Sequence, residues 1–199
     1  MPGTPPPVAT EKDALRAFLA QQHDGIRGVA FGLTDEQAHA TPSASAITIA
    51  GLVKHVTVME RGWMDRAYAA PGVPAPDPRP LEEVMADYGQ DWNPAGQSLT
   101  DLLADFDAMA AASEAAIADL DLDAAVPVPR DAPWFPQDVT AWSVRWVIFH
   151  IIEEVARHAG HGDIVRESLD GATMYELLAG REGWPATDWL TPWTPAGDA

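Results

Sequence analysis

The chain has 199 residues, 47% of them hydrophobic, and carries a formal net charge of −18 with no cysteine. That size and composition predict a folded domain with a real core rather than a disordered chain. The charge argues against a nucleic-acid partner, which needs a basic footprint, and against an anionic membrane surface. Without cysteine there are no disulfides, no thiolate zinc ligands and no thiolate nucleophile, so thiol chemistry requires a thiol brought in as cosubstrate. Residues 1–9, Pro-rich and without the basic and apolar regions of a signal peptide, are expected to form a disordered tail. A cytoplasmic location is the matching expectation.

In chain order, helical periodicity dominates. Thr10, followed by Glu11 and Asp13, predicts a first helix that runs to about Gly32, with Leu15, Phe18, Leu19, His23 and Ile26 on its inner side. The stretch from Leu33 to Thr48 reads as a linker. A second helix is expected from about Ile47 to Ala70, with Leu52, Val56, Met59 and Trp63 on one stripe and His55 at its edge. "APGVPAPDPRP" excludes helix, because proline removes donors and clashes with the preceding turn. An excursion containing Asp91, Trp92 and Asn93 follows. Ser98 or Thr100 caps a third helix to about Leu120, with Leu102, Leu103, Phe106, Met109 and Ile117 as its apolar side. A second Pro-rich crossing leads to a fourth helix from near Thr140 to about Leu169. Its first half is apolar nearly all round, which predicts burial on most sides. "GATMYELLAG" predicts a short terminal helix, and a Trp-anchored tail ends the chain. No alternation at period two and no internal repeat stands out. The expected architecture is all-α: a four-helix bundle over residues 10–180 with long crossover connections and a short C-terminal helix, then a Trp/Pro-rich tail over 181–199.

The stretch "HIIEEVARHAGH" concentrates the chemistry. Measured from His150 at about 100° per residue, Glu154 lies at about 40°, His158 at about 80° and His161 at about 20°. All four share one arc. His150 and His158 are nevertheless about 12 Å apart along the axis, so one ion can be gripped only by neighbours three or four residues apart. The available pairs are His150 with Glu154, Glu154 with His158, and His158 with His161. His-Glu-x-x-His and Glu-x-x-His are both absent. His55, on the inner flank of another helix, needs a polar partner of its own. A set of two histidines and a carboxylate leaves coordination positions open, as catalytic sites do. Arg145, in an otherwise apolar segment, demands an anion. That anion is either Glu153, an acid on another helix, or a substrate carboxylate. Arg166 and Glu167 read as ordinary helix-face charges, and Trp63, Trp142, Trp146 and Trp184 as core or lid aromatics.

"GLVKHVTVMERGW" at 51–63 and "SVRWVIFHIIEEVARHAGHGDIVRESLDG" at 143–171 resemble the DinB-like (DUF664) family, which is related to mycothiol-dependent maleylpyruvate isomerases and to mycothiol and bacillithiol S-transferases. The resemblance spans about residues 10 to 175. It implies a four-helix bundle with metal ligands His55, Glu154 and His158, and so selects the second of the three pairs. Glu154 stands where many relatives carry a histidine, as in the isomerase-like variant. One carboxylate in place of an imidazole removes one unit of positive charge from the site and makes the ion a weaker Lewis acid. Zinc suits this donor set first; nickel, iron and manganese are the other candidates. His161, directly after the ligands, reads as a proton shuttle, as support for the ligands, or as a surface residue, and Arg145 as the substrate-orienting group where its anion is the substrate carboxylate.

The resemblance implies a divalent-metal-dependent enzyme that activates a low-molecular-weight thiol of the mycothiol type. The thiol would then be transferred to a small electrophile, or used to isomerise one. An Ala-, Pro-, Asp- and Arg-rich, Lys-poor composition fits a high-GC bacterium, where mycothiol is the natural thiol. A non-catalytic metal- or ligand-binding stress protein and a metal-hydroxide hydrolase are the alternatives. A homodimer is compatible with such a bundle. The isomerase carries a further C-terminal domain, whereas a Trp-rich tail follows Gly171 here, so maleylpyruvate isomerisation itself is not expected.

Overall fold

The computed structural model describes residues 3–87, 89–130 and 135–195. Four long helices, α1 (Glu11–Ala30), α3 (Ile49–Ala69), α5 (Leu99–Ala116) and α6 (Val144–Asp170), form the bundle. α1 packs on α6, α6 on α3, α3 on α5, and α5 returns to α1, so the four close a ring around one core. Each begins at the polar residue its sequence offers. Thr10, Thr48, Ser98 and Ser143 each accept a hydrogen bond from a backbone N–H in the first turn. Two short helices interrupt the connections, α2 (Asp35–Ala38) and α4 (Leu81–Asp87). α2 lies inside the expected linker, closed by a reciprocal cap between Thr34 and Gln37, and its Asp35 accepts from the Leu99 N–H at the start of α5. The short α7 (Met174–Glu182) packs on α1. Among the described residues, no helix is long and apolar enough to cross a membrane.

Two features depart from the expected pattern. The start of the fourth helix is delayed, because Ala141–Ser143 (β2) pairs antiparallel with Ala125–Pro127 (β1). The ribbon continues into the helix: the N–H groups of Val144 and Arg145 donate to the carbonyls of Ala124 and Leu122. Two first-turn donors that helix geometry leaves unpaired are thereby satisfied. The first half of α6 is also not buried all round. Val147, Ile148 and Ile151 are fully buried, but Trp146 is 41% and Phe149 53% exposed. Only one face of α6 meets the bundle there. On α1, Phe18 likewise faces outward.

The core is not wholly apolar. His23 of α1 is fully buried between Glu60 of α3 and Glu114 of α5, each 2.8 Å from a ring nitrogen. Arg166 is also fully buried, which corrects its reading as a helix-face charge. Its guanidinium donates to Asp170 and to the carbonyls of Val29 and Phe31, capping the end of α1. Trp193 from the tail lies over it at 4.5 Å. Gly32, in the left-handed region at φ +70°, leaves room for that indole, since a Cβ there would stand 2.5 Å from the ring.

Candidate metal centre

α3 and α6 run side by side, and the facing residues carry the imidazoles. His55 presents its Nδ1 to Asp91 Oδ2 at 2.6 Å. That contact fixes the ring through Nδ1 and leaves Nε2 on the opposite side. Trp92 stacks on the same ring, 3.9 Å between centroids and 15° from parallel. The loop carrying Asp91 and Trp92 can come this close because α3 has glycine at 51. A Cβ at that position would stand 2.7 Å from the Trp92 carbonyl oxygen. Lys54 holds the next residue of the loop through a 2.7 Å bond to the Asn93 carbonyl.

On α6, His158 is buried and its ring meets His55 edge-on at 4.7 Å. Burial first, and the neighbouring His55 second, push His158 down to about 4. It is a neutral imidazole at pH 7, so its 3.5 Å approach to Glu154 Oε2 is a contact between a carboxylate and a neutral ring rather than an ion pair. His161 places its Nδ1 3.4 Å from the Nδ1 of His158, leaving the Nε2 of His158 turned to Glu154. Two neutral-capable nitrogens and one carboxylate therefore converge from two helices, a donor set that suits a divalent ion of the zinc type.

Glu154 is shared. Its other oxygen lies 3.8 Å from His150 Nε2, and His150 Nδ1 is 3.6 Å from Glu153. Among the described residues, the His/Asp/Glu group whose ligand atoms all lie within 4.8 Å of one another is His150, Glu153 and Glu154. The expected trio of His55, Glu154 and His158 is looser than this. The two groups differ in setting. Glu153 is well exposed and sits on one helix with its two companions, whereas His55 and His158 come from separate helices and are largely withdrawn from water. His150 is partly buried and lies between Trp146 and Glu154 on the same helix.

Counting in fours along α6 gives Trp146, His150, Glu154 and His158, and Trp142 of β2 precedes them at the same interval. These residues form a continuous ridge. Trp142 stacks on Trp146 at 4.8 Å and 5°, and Trp146 stacks on His150 at 5.1 Å and 15°. Trp63 of α3 touches the ridge edge-on, 4.6 Å from His150. The sequence reading placed these tryptophans in the core or a lid. Trp146 instead opens to solvent and leads toward the imidazoles.

Arg145 lies apart from this arrangement. Its guanidinium donates to Glu11 at 2.6 Å and to Asp123 at 2.5 Å, tying the start of α6 to the start of α1. Of the anions considered from the sequence, an acid on another helix is the one present. Asp91 and Trp92 were assigned no role from sequence. The only hint was a glycine at the start of an apolar helix, opposite an excursion that pairs an acid with an aromatic.

A structure described as a conserved protein from Enterococcus faecalis matches at a TM-score of 0.55 and 12% identity, covering 83% of this chain and all of that one. At that identity the match speaks for the fold. No curated protein matches the sequence. The sequence profile of the mycothiol S-transferase family matches residues 14–171, which include most of α1 and all of α3, α5 and α6. By that match over most of its length, the chain belongs to the mycothiol S-transferase family.

Proposed function

We propose that the protein is a divalent-metal-dependent transferase in the cytoplasm that joins a low-molecular-weight thiol of the mycothiol type to a small electrophile. The ion, zinc first, would be held by His55, Glu154 and His158. The observation that carries this reading is the 4.7 Å meeting of two imidazoles whose outer nitrogens are already engaged, His55 by Asp91 and His158 by His161. A side chain fixed through one ring nitrogen presents the other in a defined direction, which is how metal-binding histidines are supported. Family membership supports a thiol cosubstrate of this type.

A divalent ion in that position supplies Lewis acidity, lowering the pKa of a thiol that reaches it. The chain's own residues do the remainder. Asp91 and Trp92 orient His55 from the loop side. His161, exposed and beside His158, is placed to pass a proton between the centre and water. Trp146 and His150 offer a flat face on which a planar electrophile can rest. With no cysteine in the chain, no internal thiol competes for the ion.

Metal analysis on protein purified without nickel affinity tests the centre, and His55→Ala and His158→Ala should each lose the ion. If both variants keep a full complement of metal, the ligand assignment is wrong. Thermal shifts with mycothiol and with its desthiol analogue test the thiol. A larger shift with mycothiol is expected, and equal shifts would count against sulfur as the contacting atom.

A further inference from the structure

On its other side α6 borders a second opening. Asp163 lies about 140° round the helix from His158 at ~100° per residue. It lines a cleft of about 240 Å³ between α6, α1 and α7. Met174, Leu177 and Leu178 of α7 form an apolar wall, and Gly25 and Gly28 of α1 leave backbone without side chains opposite. The third wall, α7, lies beyond the stretch matched by the family profile.

Among the polar groups of the cleft, Asp24, Arg181 and Gln21 are engaged, and Asp163 is the charged one that is not. Asp24 of α1 and Arg181 of α7 pair across the rim. Gln21 donates to the carbonyl of Gly3 at 2.6 Å. Asp163, half-buried, accepts no hydrogen bond from any described residue. Burial, with Glu167 contributing, raises its carboxyl to about 6, so it is mostly ionised at pH 7 without a counter-ion. The remaining charges around it are Glu167 on its own helix and the closed Asp24–Arg181 pair.

We propose that this cleft binds a small organic ammonium ion, the charged nitrogen on Asp163 and a short carbon body against Met174, Leu177 and Leu178. An ammonium group brings three donors to a carboxylate that has none. An anionic ligand is disfavoured, because Arg181 is already held by Asp24 while Asp163 and Glu167 repel it. The net charge of −18 concentrates cations around the whole molecule. The volume equals that of about eight waters at ~30 Å³ each, a fit for an alkylamine of a few carbons.

The test is titration calorimetry in an amine-free buffer with n-butylammonium chloride and, separately, n-butanol. The amine should bind at least tenfold tighter than the alcohol. Asp163→Asn should weaken amine binding by tenfold or more, and Ala156→Trp, which fills the cleft from its exposed side, should abolish it. Because amines can also ligate metals, His55→Ala serves as a control and should bind the amine unchanged. Equal binding of the alcohol, retained affinity in Asp163→Asn, no binding by the parent protein, or loss in His55→Ala would each overturn the proposal. The proposed metal centre stands or falls separately, on metal content.

Discussion

Asp91 Oδ2 lies 2.6 Å from His55 Nδ1, and this contact joins a long connection to the helix that carries the first candidate ligand. Removing such a support usually lowers metal affinity 10–100-fold. Asp91→Ala is therefore expected to weaken zinc binding by about that factor in a competition titration, with the helix content unchanged. Asp91→Asn should weaken it less, because its amide oxygen still accepts from Nδ1. Gly51→Val should have a similar effect without touching His55, by pushing the Trp92 backbone away.

The pairing of His23 with Glu60 and Glu114 predicts a pH-dependent contribution to stability. Burial alone lowers the pKa of His23, but hydrogen bonds to Glu114 and Glu60 outweigh it and the net shift is upward. A group with a raised folded pKa stabilises fully below its unfolded value, near 6.5, and loses that contribution as pH rises through the folded value. Urea unfolding between pH 6 and 9 should show His23→Gln costing most at the acid end and progressively less toward pH 9. A cost independent of pH would mean that His23 is neutral in the fold.

Glu60 carries a further strain. Its Oε1 is buried without a hydrogen-bond partner among the described residues. Removing only the histidine, as in His23→Ala, leaves two carboxylates near the core and should cost about 3–5 kcal/mol. A double variant with Glu60→Met should recover part of that loss, measured as a higher unfolding midpoint than His23→Ala alone.

Arg166→Met should destabilise by about 2–4 kcal/mol, since it leaves Asp170 and the carbonyls of Val29 and Phe31 without their donor. Trp193→Ala, which removes only the indole over the guanidinium, should cost about 1 kcal/mol for the cation–π contact plus its share of buried area. Chemical denaturation of the two variants orders them; the reverse order would sink this account of the tail.

Trp146→Ala tests the aromatic ridge. Because the side chain is partly exposed, the midpoint of unfolding should move little. The KM for a planar aromatic electrophile should rise about fivefold, the worth of one ring–ring contact, while the KM for the thiol stays constant.

The bundle was largely readable because its signals are local. Thr10 and Ser98 cap where they stand, and apolar residues recur at helical spacing between them. The ribbon of Ala125–Pro127 with Ala141–Ser143 was not readable: three-residue strands bracketed by prolines carry too little alternation. His55 stands out by its place on an inner helix flank, whereas Glu154 with His158 is selected by resemblance to a family, since spacing alone leaves three pairs open. Asp91 was invisible as a partner because a loop's approach depends on what the opposite helix omits, here a side chain at Gly51. Arg166 was misread for a related reason. Two of its partners are backbone carbonyls at the end of α1, and carbonyls carry no sequence signature.

The ridge from Trp146 to His158 has a bearing on how α6 tolerates change in length. Each step of four residues overshoots a full turn by about 40°, so the ridge winds around the helix from the solvent side at Trp146 to the interior at His158. Its members stay in contact only while the count of four is unbroken. A single residue inserted or deleted between 146 and 158 would rotate one end against the other by about 100° and aim His158 away from His55. Substitutions along the ridge can be absorbed one at a time; a frame slip of one residue would take apart stacking, carboxylate sharing and the meeting of the imidazoles together.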